Sequence, residues 1–151
     1  MIRYNQIVSN LSLLPQFIAY YEKELKEAKT DVIVHGNLEQ SLRDLPGITE
    51  HRFNQLQEIE AVLVYMQGEL RKIKKKHYKD YLEGYAKALT SRDAGIYADA
   101  EDEVIDYEVL INEVALVRNK YLGIIKGIEQ KSFQLSAISR LRTAGMQDLE
   151  L

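Results

Sequence analysis

The feature that most constrains the fold is a repeat of apolar residues every seven positions in the middle of the chain. Two interleaved series occupy the a and d positions of three heptads: Leu56, Leu63 and Leu70, and Ile59, Met66 and Ile73, with His77 continuing the first. Because such a repeat keeps one face of a helix apolar, it predicts a long helix packed against another helix. Thr49 and Glu50 offer a helix start after Pro46, so we expect one helix over residues 49 to about 88.

A second heptad series, in the C-terminal half of the chain, is longer than the first. Its members are Tyr107, Val114, Tyr121, Ile128 and Leu135, with Leu110, Val117, Ile124 and Ile138 between them and Lys131 as the interruption. Residues from about 98 to 143 are therefore predicted to be mainly helical, with Gly123 or Gly127 as candidate breaks. The turn-forming residues TSRDAG (90–95) let the chain reverse. The fold class predicted is mainly α, a long antiparallel helical hairpin with heptad packing.

The first 48 residues have a weaker pattern, which indicates a smaller N-terminal segment. Residues 13–28 indicate a helix, TDVIVH (30–35) an extended link, and residues 37–45 a short helix opened by Asn37. We expect residues 1–48 to form this helical and extended segment, 49–145 the hairpin core, and 146–151 a tail.

One turn of the first long helix has more apolar residues than a hairpin can bury. Val62, Val64 and Tyr65 lie outside the a and d positions, so this turn is apolar nearly all round. Either the N-terminal segment or another subunit must cover it. We therefore expect self-association and take these three residues as candidate oligomer contacts.

Composition and motifs exclude several classes of function. The chain has 151 residues and no cysteine, which excludes disulfides, thiol chemistry and cysteine-ligated zinc. Its apolar stretches are far shorter than a bilayer span and its N-terminus lacks the apolar core of a signal peptide, so a cytoplasmic protein without a membrane partner is expected. The three histidines have no metal-site spacing and no phosphate-binding loop is present, so we predict neither an enzyme nor a cofactor.

A run of carboxylates is the strongest candidate for a metal site. Asp99, Asp102, Glu103 and Asp106 have a spacing that brings them to one side of a helix. The favoured interpretation is that acidic residues in the first turns of the second long helix interact favourably with its dipole. No metal is predicted, because there is no facing set of ligands.

Charge is strongly segregated along the chain, although the net charge is only -3. Residues 71–92 contain 8 basic and 2 acidic residues, whereas residues 93–113 contain no basic and 8 acidic residues. The basic block opens with RKIKKKHYKDY (71–81), in which cations adjoin tyrosines. Cations for phosphates and flat rings for unstacked bases are the elements of single-strand binding sites. The candidate DNA-binding residues are Arg71, Lys72, Lys74, Lys75, Lys76, Tyr78, Lys79 and Tyr81.

Four stretches of the chain, in this order, are similar to a known family. They are SLRDLPGITEHRF (41–53), KKHYKDYLEG (75–84), IYADAEDEVIDY (96–107) and IIKGIEQKSFQLSAISRLRTAG (124–145), and together they span about two thirds of the chain. The chain resembles the phage recombination mediators of the UvsY family, which are small helical proteins. The last stretch is the most specific, with Phe133, Ile138 and Arg142 at family-like spacings.

The resemblance implies a function in phage DNA recombination and repair. Members of the family bind single-stranded DNA, help displace the single-strand-binding protein and load a RecA-like recombinase. They form rings, which implies a homo-oligomer of about six or seven subunits, with Phe133 and Ile138 among its contacts. Lys76 falls at the family's DNA-binding lysine, Tyr78 stands where the family has an arginine, and Glu101 where relatives are often basic. The expected location is the host cytoplasm.

The competing interpretation is a structural or adaptor coiled-coil oligomer with no nucleic-acid role. It shares the heptads and the self-association, but in it residues 71–81 form only a solvated helix face. Binding of single-stranded DNA separates the two hypotheses.

Overall fold

The computed structural model describes residues 3–85 and 87–145. Those residues are mainly helical, as predicted, and contain no strand. The helices are α1 (Tyr4–Ser9), α2 (Leu14–Val32), α3 (Leu38–Gly84), α4 (Ser91–Asp99) and α5 (Asp102–Thr143), with a 3-10 turn at Leu11–Leu13. The predicted tail, residues 146–151, lies outside the described residues.

Helix α3 is continuous over 47 residues and contains Pro46, so the predicted break between residues 45 and 49 is wrong. Asn37 does open a helix, because its side chain accepts hydrogen bonds from the backbone of Glu39 and Gln40. Thr49 is not a cap; its hydroxyl donates to the Leu45 carbonyl inside the helix at 2.7 Å. Leu45 packs against Ile128 and Leu135. This burial offsets the cost of an internal proline, about 3 kcal/mol.

The predicted turn at residues 90–95 is instead the start of helix α4. Thr90 caps it, since its hydroxyl oxygen accepts from the backbone of Asp93 at 3.2 Å and donates to that residue's carboxylate at 2.7 Å. The chain turns before this point, between the end of α3 at Gly84 and Thr90. Helix α5 begins at Asp102 rather than near residue 98, and it continues through Gly123 and Gly127 without a break.

Helix α2 confirms the helix predicted over residues 13–28 and continues to Val32. The extended link is therefore shorter than predicted. The boundary expected after residue 48 falls inside α3, so residues 1–48 and 49–145 are not separate units of secondary structure. Ile7, Phe17 and Tyr21 lie in one buried cluster with residues of α3 and α5, which makes the N-terminal segment part of the main core.

The predicted heptads supply nine of the 21 buried apolar residues in the described part of the chain. Their buried members are Leu56, Ile59, Leu63 and Met66 on α3 and Val114, Val117, Tyr121, Ile128 and Leu135 on α5. The seam becomes half-buried at Leu70 and Ile73, where the basic stretch begins. Contacts pair the N-terminal part of α3 with the C-terminal part of α5, through Leu45 and Leu135. At the other end, His77 contacts Glu103.

A polar network joins α2, α3 and α5 at the centre of the molecule. The guanidinium of the buried Arg52 donates to Asp31 at 2.7 Å, to Glu24 at 3.2 Å and to the Gln55 amide oxygen at 2.9 Å. The Gln55 amide also donates to Glu24, at 2.8 Å. Lys131, the interruption in the second heptad series, is buried and donates to the Asp31 carbonyl at 2.9 Å. The buried ammonium of Lys131 thus has a hydrogen-bond partner, a carbonyl in the last turn of α2.

The end of α2 approaches α5 closely at a glycine. A Cβ atom at Gly127 would lie 2.6 Å from Cγ1 of Val32, whereas one at Gly123 would meet nothing within 4 Å. Gly127 therefore permits the contact that brings Asp31 to Lys131, and the structure gives no such reason for Gly123.

Candidate nucleic-acid interface

The predicted DNA-binding residues lie in the last part of α3, where the core seam ends. Five cations there are exposed: Arg71, Lys72, Lys75, Lys76 and Lys79. We call these five residues the outer basic face. The other three predicted residues, Lys74, Tyr78 and Tyr81, are half-buried. Three consecutive lysines, at positions 74–76, point in different directions because each residue of a helix turns by about 100°.

Lys74 faces the acidic helices rather than solvent. Its ammonium forms ion pairs with Asp99 at 3.0 Å and with Glu108 at 2.8 Å. The hydrogen bonds to Glu108 and then to Asp99 raise the pKa of Lys74, so the residue stays charged. Lys74 is thus already neutralised within the chain and is less available to a phosphate than sequence reasoning assumed.

The role of the acidic segment, residues 93–113, follows from further contacts with the end of α3. Nε2 of His77 lies 2.7 Å from Oε2 of Glu103. The Tyr81 hydroxyl donates to the Glu101 carboxylate, and this hydrogen bond is the main reason that the pKa of Tyr81 is raised. The acidic segment therefore packs against the side of residues 71–81 that continues the heptad seam of α3. It leaves the outer basic face uncovered.

The cations of the outer basic face have few intrachain partners. Lys72 pairs with Glu69 at 2.6 Å, one turn away on the same helix, but its side chain keeps 74% of its exposure. In the described part of the chain, Arg71, Lys75, Lys76 and Lys79 take part in no ion pair. An exposed cation without a carboxylate partner is free to neutralise a phosphate.

Three tyrosines meet where α3 ends and α4 passes. The ring of Tyr81 lies 5.4 Å from that of Tyr97, at an interplanar angle of 27°. Tyr85, just beyond α3, lies 6.2 Å from Tyr97 at 23°. Sequence reasoning missed Tyr97, because its stretch IYADAEDEVIDY is dominated by acidic residues. We call Tyr81, Tyr85 and Tyr97 the tyrosine cluster.

The candidate oligomer contacts are placed unevenly. Val62 is fully buried within the chain, and Tyr65 is half-buried against the N-terminal segment, with its ring 6.5 Å from that of Tyr4. The N-terminal segment therefore covers this turn of α3, which is one of the two possibilities that the sequence allowed. Val62 is consequently not accessible to a second chain. Val64 and Phe133 are exposed, at 64% and 68%, and Ile138 is half-buried.

Two of the four carboxylates considered as a metal site contact side chains of α3 rather than one another. Asp99 pairs with Lys74, and Glu103 with His77. Within residues 3–85 and 87–145, no group of three or more histidine, aspartate or glutamate side chains is arranged to hold a metal ion. None of the helices in these ranges combines the length and apolar character needed to cross a membrane.

Comparisons of the chain with protein-family models, with curated proteins and with solved structures gave no match. The likeness of the four sequence stretches to UvsY proteins therefore remains a resemblance. A function for the chain has to be inferred from that resemblance and from the surface at the end of α3.

Proposed function

We propose that the chain is a single-stranded DNA-binding recombination mediator of the UvsY kind. In this proposal it holds DNA on the outer basic face, helps displace the single-strand-binding protein and presents the strand to a RecA-like recombinase. It acts in DNA recombination and repair, in the cytoplasm of a phage-infected host. The chain itself makes or breaks no bond and needs no cofactor, because ATP would be used by the recombinase.

The observation that carries the proposal is the group of exposed cations on one short segment of α3. Arg71, Lys75, Lys76 and Lys79 take part in no ion pair among the described residues, although the chain as a whole is acidic. A net negative protein that keeps four cations uncompensated within nine residues has a local positive potential. Phosphates of a flexible single strand can follow such a segment, and the half-buried Tyr78 supplies an aromatic surface beside them.

Binding is expected to favour single strands over duplex, with little sequence preference, because the contacts are to phosphates and base faces. Four neutralised phosphates per subunit predict that log K falls against log salt with a slope of about -3 per subunit. Fluorescence anisotropy of labelled oligonucleotides, measured over a salt series, checks both expectations. Equal affinity for duplex and single strand at moderate salt would contradict the role given to the aromatic residues.

We further propose that α3 and α5 act as a helical hairpin that assembles into a ring of about six or seven subunits. The support is the apolar surface outside the core, which includes Val109, Leu116 and Phe133 on α5 and Val64 on α3. Val109 and Leu116 lie seven residues apart and therefore on one face of α5, as an interface along that helix requires. A ring multiplies weak contacts to DNA through effective concentration.

The ring predicts a measurable effect at Val64. Val64→Asp should shift the protein towards smaller species, because it places an unpaired charge in the proposed interface. Gln67→Asp is the matched control, since it adds the same charge at an exposed position one turn along α3. Light scattering at micromolar concentration gives the masses. A wild-type mass of one chain would rule out the ring.

The adaptor hypothesis remains the second candidate, and one observation favours it. Lys74 and Tyr81 bind carboxylates of the same chain, so part of the basic stretch serves to dock the acidic segment. If the whole stretch has that purpose, the affinity of the chain for single-stranded DNA should be no higher than the affinity of an unrelated protein of equal charge.

A further inference from the structure

Two of the three ring pairs in the tyrosine cluster differ in geometry from the other aromatic pairs among the described residues, whereas the third, Tyr81–Tyr85, is tilted at 48°, much as Phe17–Tyr21 is at 57°. In the core, the pairs Tyr20–Tyr21 and Tyr21–Tyr121 are edge-to-face, with interplanar angles of 86° and 77°. In the cluster, Tyr97 is close to parallel with both Tyr81 and Tyr85, at 27° and 23°. Edge-to-face and offset-stacked pairs are both favourable. Near-parallel rings in addition present their faces in similar directions, as stacking of a base requires.

The cluster also differs from the core in its exposure. Tyr85 and Tyr97 are 50% and 46% exposed. The two residues come from different segments, one just past α3 and the other on α4. Rings whose only purpose is to pack α4 against α3 would be expected to have lost more of their surface to that contact.

The position of the cluster is fixed by polar contacts. The Tyr81 hydroxyl donates to Glu101, and Lys74, two turns earlier on α3, pairs with Asp99 of α4. These contacts hold the C-terminal end of α4 and the residue before α5 against the end of α3, two and four residues after Tyr97. An aromatic surface that is oriented before the ligand arrives loses less conformational entropy on binding.

Cations lie next to the cluster along the chain. Lys79 precedes Tyr81 by two residues and Lys87 follows Tyr85 by two, and both lysines are exposed. Asp80 and Glu83 lie in the same stretch, so the ligand features indicated here are flat rings at the cluster and negative charge at the adjoining outer basic face. Single-stranded nucleic acid combines the two, since each unstacked base is joined to a phosphate.

We propose that Tyr97 and Tyr85 form a stacking platform for an unstacked base of single-stranded DNA, and that the acidic helix α4 thereby contributes directly to DNA binding. This inference rests on the proposed function, because it assigns an additional contact to the same strand. It assigns a role in DNA binding to a segment whose net charge alone would predict repulsion of DNA.

A tryptophan reporter tests the contact directly. The chain contains ten tyrosines and no tryptophan, so Tyr97→Trp creates a single tryptophan that can be excited at wavelengths where tyrosine does not absorb. Addition of an oligothymidylate should quench its emission in proportion to the bound fraction, because base stacking on the indole is the proposed contact. Phe53→Trp is the matched control; Phe53 is 49% exposed and lies 28 residues before Tyr81 on α3, roughly 40 Å away along the helix axis. Its emission should not change.

Two further variants separate stacking from packing. Tyr97→Phe keeps the ring and should bind the oligothymidylate as wild type does. Tyr97→Leu keeps apolar volume but removes the ring, and its affinity should fall by at least about fivefold, the lower end of what one stacked base contributes. Circular dichroism confirms that both variants keep their helices.

The outcomes distinguish this inference from the proposed function. If wild type binds single-stranded DNA while Tyr97→Leu binds equally well and the Tyr97→Trp emission is unchanged, the platform is refuted and the DNA-binding function stands. If wild type itself does not bind the oligothymidylate, both are refuted. In that case the cluster would be a site for a peptide partner or a packing contact only.

Discussion

Replacement of Arg52 by alanine is expected to lower the free energy of unfolding by about 3 kcal/mol. Arg52 is 6% exposed, and its guanidinium is the donor that faces both Glu24 and Asp31. Without it, two carboxylates of α2 are left close together with most of their surface removed from water. Their side chains keep 18% and 19% exposure, which puts the expected loss at the lower end of the range for a broken buried pair.

Arg43→Ala is the matched control for this experiment. Arg43 also lies on α3 and also pairs with a carboxylate, Glu39 at 2.7 Å, but both side chains are more than 70% exposed. A pair of this kind contributes less than about 1 kcal/mol. Urea unfolding followed by helical circular dichroism, at one fixed protein concentration, compares the two variants. Equal losses would show that the network does not hold α2 to α3.

The sequence indicates that Arg52 and Lys131 lie near the core, but it does not indicate which residues they contact. Arg52 lies seven residues before Ile59, and Lys131 seven before Ile138, so the register alone places both near the core. Their partners on α2 lie 21 to 100 residues away along the chain. Heptad spacing says which face of a helix is buried and nothing about which other helix covers it.

The heptad register could also have corrected the misplaced helix boundary. Leu45, Arg52, Ile59 and Met66 follow one another at seven-residue intervals through Pro46. Local propensity favours a break at the proline, whereas the unbroken register favours one continuous helix. In the structure α3 is continuous through Pro46, and Leu45 is buried against α5. Thr90 shows a second ambiguity of local sequence, because the residue types that form turns also open helices.

The candidate interface was predictable in part. Exposure of the outer basic face agrees with the expectation that residues 71–81 present cations to solvent. Lys74 lies four residues after Leu70 and Tyr81 four after His77, so the register places both beside the seam. What the sequence could not supply was the position of α4. The contacts of Lys74, Tyr81 and Tyr97 all depend on how that short helix folds back, which is a tertiary property.

Replacement of Lys75, Lys76 and Lys79 together by alanine is expected to lower the affinity for single-stranded DNA by about 100-fold at 0.1 M salt. Each phosphate neutralised on a single strand contributes about 0.7 to the slope of log K against log salt. Loss of three such contacts makes the slope shallower by about 2. If the variant and the wild type bind equally at 1 M salt, their affinities then differ by about 100-fold at 0.1 M salt. The three lysines are exposed and alanine favours a helix, so the fold should persist.

Two controls make this result specific. Lys23, Lys26 and Lys29 are exposed lysines of α2, and their replacement by alanine removes the same charge from a different surface. If net charge alone matters, the two triple variants should lose the same affinity; if the outer basic face is the site, the α2 variant should lose little. The loss of affinity in Lys74→Ala should lie between the losses in the two triple variants, because Lys74 is already paired with Asp99 and Glu108. Should Lys75, Lys76 and Lys79 prove dispensable at every salt concentration, residues 71–81 would be a solvated face and the adaptor hypothesis would replace the mediator.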